Sequence, residues 1–183
     1  MPKMLILRGN RGVYPDEQGR SHSYPRGALH EAAAKEYARR KGYEGVVLDV
    51  AGNALPSGNR SHSPQTLMAL TTFRADNSVS ALYGFSGGGY DVWWILRSLT
   101  SEELKRVKLV VVLGAPDRPQ SEFDSSSFKG ASWELVYKTN PPASAAVVPR
   151  GAGSHMFGPE WLLSQTPDPG KTSPAPLPIP YPN

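Results

Sequence analysis

An α/β fold with a mainly parallel sheet of about five strands, arranged as a three-layer α/β/α sandwich, is predicted by three features of the 183-residue chain. Its apolar runs are continuous rather than alternating, the pattern of strands buried on both faces. Segments with helical periodicity and helix-end signals separate those runs. Strand and helix alternate along the chain, and parallel pairing needs such crossovers.

In chain order, MLILRG (4–9) is a short apolar strand, and RGALHEAAAKEYARRKG (26–42) is an alanine-rich helix that stops at Gly42. GVVLDV (45–50) is a second buried strand. Pro64, suited to a first helical turn, opens a helix through Gln65, Leu67, Met68, Leu70 and Phe73. VSALYGF (79–85) is the third strand, and residues 88–99 form a largely buried helix. In TSEELKRV, Thr100 and Glu103 have the offset of a capping box at the start of another helix. KLVVVLGA (108–115) and WELVYKT (133–139) are the fourth and fifth strands.

The domain so defined spans residues 1–165. Residues 166–183 carry Pro167, Pro169 and then proline at every second position from Pro174 to Pro182. Proline lacks a backbone donor and holds φ near −65°, so this segment is an extended arm rather than helix or central strand. An arm of that kind either lies along the domain, runs into solvent, or recruits a proline-recognition module.

A chain of this size buries about two-thirds of its unfolded surface, so it needs no cofactor merely to fold. The absence of cysteine excludes disulfides and thiolate metal sites. The net charge is +4, but the cations are dispersed. Their densest group, Arg39, Arg40 and Lys41, falls at a helix end, where cations complement the helix dipole. The expectation there is a solvated helix terminus and no nucleic-acid partner. The first apolar run is too short for a signal peptide, and no later run approaches the length of a membrane span, so a soluble cytoplasmic protein is expected. The tetrapeptide RSHS occurs at 20–23 and again at 60–63, with no longer period.

ALYGFSGGGYDVWW (81–94) carries the chemistry. Ser86 ends an apolar strand, three glycines follow it, and a helix begins. This is the strand-turn-helix setting of the G-x-S-x-G elbow, filled by Gly84, Phe85, Ser86, Gly87 and Gly88. The turn is so sharp that side chains two before and two after the serine collide, hence the glycines. Two other readings fit a glycine-rich turn: a serine that caps its own helix, and a phosphate-cradling loop. The second lacks both GK[ST] and G-x-G-x-x-G at this place.

With this strand order, GFSGG and a late histidine, the chain resembles a small α/β-hydrolase of the serine esterase, cutinase-like type without a cap domain, over residues 4–163. The resemblance implies ester hydrolysis through an acyl-enzyme, with a triad in the order serine, acid, histidine. His155, in VPRGAGSHMFGPEWLL, lies where the family places its base; His22, His30 and His62 all precede Ser86. VPRG and GSHM look like fragments of a cloning tag, yet they sit inside the chain and run into an apolar segment, and are read as native.

The acid departs from the family pattern, because no carboxylate lies between Glu134 and His155. Asp117, at the carboxyl end of the fourth strand, is the first choice and Asp124 the second; a backbone carbonyl or Asn140 in the orienting role is the third. Asp117 between Pro116 and Arg118 also suits a plain turn or ion pair. The family's oxyanion hole implies the N–H of Gly87 and one from the loop after the first strand, near Asn10, where Gly9 and Gly12 allow close approach. Tyr14, Tyr90 and Phe157 are candidate acyl-pocket residues. Asp49 reads as structural, and Trp93 and Trp94 as packing residues. The expected partner is a small-molecule ester, with no metal, organic cofactor, nucleic acid or membrane. Readings from other classes are a catalytically inactive hydrolase-fold binding protein and an anion- or nucleotide-binding α/β protein.

Overall fold

In chain order the elements are β1 (Lys3–Leu7), β2 (Val13–Pro15), β3 (Ser21–Ser23), α1 (Gly27–Arg40), β4 (Glu44–Val47), α2 (Pro64–Ala75), β5 (Val79–Phe85), α3 (Gly87–Ser98), α4 (Ser101–Leu104), β6 (Leu109–Leu113), β7 (Glu134–Lys138) and α5 (Gly158–Ser164). Two short 3-10 turns, Gln120–Glu122 and Ser125–Ser127, lie between β6 and β7. They come from a computed structural model that describes residues 1–9, 13–15, 21–23, 27–48, 63–115, 118–138 and 158–171.

The five apolar runs form one sheet in the order β4-β1-β5-β6-β7, every pairing parallel. Alternate side chains of a strand face opposite sides of a sheet, and here they enter two separate clusters. Met4 and Ile6 of β1, with Ala81 and Tyr83 of β5, pack with Ala34, Tyr37 and Ala38 of α1 and Leu162 of α5. Leu5 and Leu7, with Leu82, pack with Ala69, Leu70 and Phe73 of α2 and Val92, Ile95 and Leu96 of α3. Connection handedness accounts for the split. The chain moves one way from β1 to β4, then back across β1 to β5, and a right-handed crossover in each direction puts its helix on the opposite face.

That reversal also positions the site. Where strand order reverses, the loops leave neighbouring strands in opposite directions and open a crevice at their carboxyl ends. The reversal falls between β1 and β5, whose last residues, Leu7 and Gly84–Phe85, stand side by side.

Element by element, α2 is capped by Ser63, whose Oγ accepts the Thr66 N–H at 3.1 Å. The capping box at α4 is present in both halves, Glu103 N–H to Thr100 Oγ1 at 3.2 Å and Thr100 N–H to Glu103 Oε2 at 2.8 Å. α1 ends at Arg40, and Gly42 follows with φ of +83°. The antiparallel pair β2 and β3 was not expected: its three-residue strands contain no apolar run.

The basic end of α1 does more than meet solvent. Arg40 Nη1 donates to the carbonyls of Leu163 (3.2 Å) and Thr166 (2.8 Å), satisfying carbonyls at the end of α5. Arg39 pairs with Asp168 at 3.0 Å, and both arginines bond Glu36. These bonds hold the Glu36 carboxyl down at about 2. The first residues of the proline-rich segment, Thr166 to Asp168, are therefore tied to α1.

Candidate active site

Ser86 follows the last residue of β5 with φ of 56° and ψ of −121°, the only non-glycine residue with positive φ among the described residues. A side chain in this region costs about 1–3 kcal/mol and persists only where the surroundings enforce it. They do so through the backbone. The Ser86 N–H donates to Leu113 O at the end of β6 (2.8 Å), and its carbonyl accepts from Gly89 N–H in the first turn of α3 (2.9 Å).

Ser86 occupies the N-cap position of α3 yet makes no side-chain cap bond. A capping serine spends its hydroxyl on the N–H two or three residues on. Here the half-buried hydroxyl is left available, and it makes no hydrogen bond among the described residues. Nor does the N–H of Gly87, at the positive end of the helix, have a partner among them.

Steric contacts explain the glycines around the serine. A Cβ on Gly84 would strike Gly88 O and come within 2.6 Å of Gly88 C. One on Gly88 would strike Leu7 O, with Leu7 C at 2.8 Å and Arg8 O at 2.9 Å. All of these are backbone atoms that no rotamer change can move. Gly9, just past β1, faces the serine: a Cβ there would sit 3.0 Å from Ser86 Cβ and 3.1 Å from Phe85 O. The first residues after β1, as far as Gly9, thus lie directly beside Ser86.

A buried polar network stands behind these residues. Asp91, in the second turn of α3, is fully buried and accepts hydrogen bonds from Ser63 Oγ (2.5 Å), Thr66 Oγ1 (2.7 Å) and Gln65 Nε2 (2.7 Å), all at the start of α2. The Gln65 amide, also fully buried, bonds both backbone groups of Arg8: Oε1 accepts its N–H at 2.8 Å, and Nε2 donates to its carbonyl at 2.9 Å. The Arg8 side chain reaches the other way, to Glu31 of α1, with Nη2 to Oε2 at 3.0 Å. Sequence reasoning missed Gln65 and Asp91 as site residues. The available signal was a lone carboxylate in the otherwise apolar YDVWWIL.

Of the remaining expected site residues, Tyr90 lies half-buried on α3. Tyr14 falls in β2 opposite His22, and only its backbone position is described. His155, Asp117, Asn10 and Phe157 lie outside the described residues, as do Asp49 and Asn140. The chain toward Asp117 leaves β6 at Gly114 and Ala115, and Ala115 Cβ packs against Gly89 of α3. Asp124 caps a 3-10 turn: its Oδ1 accepts the Ser126 N–H at 2.9 Å, which pulls its carboxyl below the usual range. Trp93 is stacked between the guanidinium groups of Arg97 and Arg118, 3.9 Å and 4.1 Å from its ring centroid, and its Nε1 donates to Glu122. That is a packing role.

Among the described residues no group of three or more His, Cys, Asp or Glu is placed to hold a metal ion, and no helix is long and apolar enough to cross a membrane. The chain matches no protein-family model, and neither the curated proteins nor the solved structures contain a significant match.

Proposed function

We propose that the protein is a serine hydrolase that cleaves carboxylic esters through an acyl-enzyme on Ser86. The observation that carries this reading is the conformation of Ser86: a strained, non-capping serine at the carboxyl edge of a parallel sheet, at the point where strand order reverses. Neither a packing role nor a capping role requires that strain. A nucleophile does, because the strained turn lifts Oγ clear of the sheet toward a substrate.

In the proposed reaction the His155 imidazole takes the Ser86 Oγ proton as Oγ bonds to the ester carbonyl carbon. The carbonyl oxygen becomes an oxyanion, held by the Gly87 N–H and an N–H of the loop after β1. The intermediate collapses, and the departing alkoxide takes the proton from the imidazolium. Water, deprotonated by His155, then cleaves the acyl-serine bond and regenerates the hydroxyl. Asp117 is assigned to orient the imidazole. The chemistry calls for neither a metal nor an organic cofactor, and the proposed substrates are small or surface-presented esters.

Turnover of short-chain nitrophenyl esters by the full chain tests the assignment. Ser86→Ala is expected to lower kcat by at least about 10³-fold, the scale of nucleophile deletions. Equal turnover by wild type and variant would assign the hydrolysis to another group. No turnover by either would favour the inactive binding protein.

A further inference from the structure

We propose that Gln65 and Asp91 are positioning residues for the oxyanion loop, holding the Arg8–Gly9 peptide in register with Ser86; this rests on the esterase reading above. The loop after β1 has to present an N–H to the developing oxyanion, and about 1 Å of misplacement costs on the order of 10²-fold in rate. Glycine at position 9 permits close approach to Ser86, but a glycine backbone is also the least constrained of any. Some other group must hold it, and the Gln65 amide does so.

The geometry is specific. Gln65 bonds both the N–H and the C=O of Arg8, as a neighbouring strand would. The Arg8–Gly9 peptide is trans, so its C=O and N–H point in opposite directions. With the Arg8 carbonyl directed at Gln65 Nε2, the Gly9 N–H is turned away from α2.

Asp91 defines which way the Gln65 amide faces. A glutamine amide can flip, exchanging donor and acceptor. The Asp91 carboxylate accepts from Nε2 at 2.7 Å and would repel Oε1, so one orientation alone satisfies Arg8 on both groups. Ser63 and Thr66 hold the other carboxylate oxygen, Oδ1, at 2.5 Å and 2.7 Å. α3 carries both Ser86 at its start and Asp91 one turn later, so the nucleophile and the clamp on the loop are referenced to a single rigid helix.

Ester hydrolysis by wild type, Gln65→Leu, Thr66→Val and Ser86→Ala tests the proposal, with kcat and KM separated. Gln65→Leu is expected to lower kcat about 10- to 100-fold with KM changed less than about 3-fold, since the loss falls on transition-state stabilisation. Thr66→Val, nearly isosteric, is expected to lower kcat by a smaller factor and carries the test if Gln65→Leu does not fold. A merely structural role predicts a lower melting temperature with unchanged kcat per folded molecule, and that result would overturn the proposal while leaving the esterase reading intact. Wild-type turnover that survives Ser86→Ala, or no turnover at all, would overturn both.

Discussion

Replacing Ser86 by glycine and, separately, by alanine separates strain from chemistry. Both substitutions remove the hydroxyl, but only glycine removes the Cβ that makes φ of 56° with ψ of −121° costly. That conformation is worth about 1–3 kcal/mol of strain. Glycine gives back about 0.4–1 kcal/mol by loosening the unfolded chain. Ser86→Gly is therefore expected to be more stable than Ser86→Ala by about 1 kcal/mol, which for a chain of this size raises the melting temperature by about 2–4 °C. Parallel urea denaturation with equal m-values supplies the free-energy difference. The proposed ester hydrolysis is expected to be lost in both variants. Ser86→Ala equal to or more stable than Ser86→Gly would refute the inference that the turn stores strain, and with it the main reason to regard Ser86 as a nucleophile.

Gly88→Ala sets helix propensity against sterics. Alanine is favoured in a helix by about 1 kcal/mol, but its Cβ meets the Leu7 carbonyl carbon at 2.8 Å, so a net loss of about 2 kcal/mol is expected in thermal denaturation. Glu36→Gln probes the clamp of α5 on α1. The Glu36 carboxyl is depressed from 4.5 to about 2 in the folded protein, so its contribution is present above about 4.5 and lost as pH falls through 2. The partial exposure of the pair limits the contribution to about 1 kcal/mol. Wild type is thus expected to exceed Glu36→Gln in stability at pH 7, with the two converging near pH 2; a difference unchanged down to pH 2 would count against the ion pair as its source.

The five-stranded sheet was legible because each strand is a largely apolar run, and LVVVL or VSALYGF fits a strand buried on both faces of a parallel sheet. The elbow was legible because Gly84 and Gly88 are demanded by local collisions within one turn and with the adjacent strand. α5 was not: GPEWLLS is a seven-residue segment that gains its helix from packing on α1 and from Arg40, far away in sequence. The pair β2 and β3 has no hydrophobic pattern to announce it. The link from Asp91 through Gln65 to Arg8 joins three separate elements, and no spacing rule connects them. Asp124 shows the converse: plausible as an acid by position, it is engaged in capping its own turn.

The claim on which the account depends is that Ser86 Oγ is an activated nucleophile. Treatment of the full chain with a fluorophosphonate, followed by peptide mass spectrometry, tests it most directly. The account predicts a single covalent adduct on Ser86, absent from Ser86→Ala and formed more slowly in His155→Ala. An adduct on any other residue, or none on the folded wild-type protein, would contradict it.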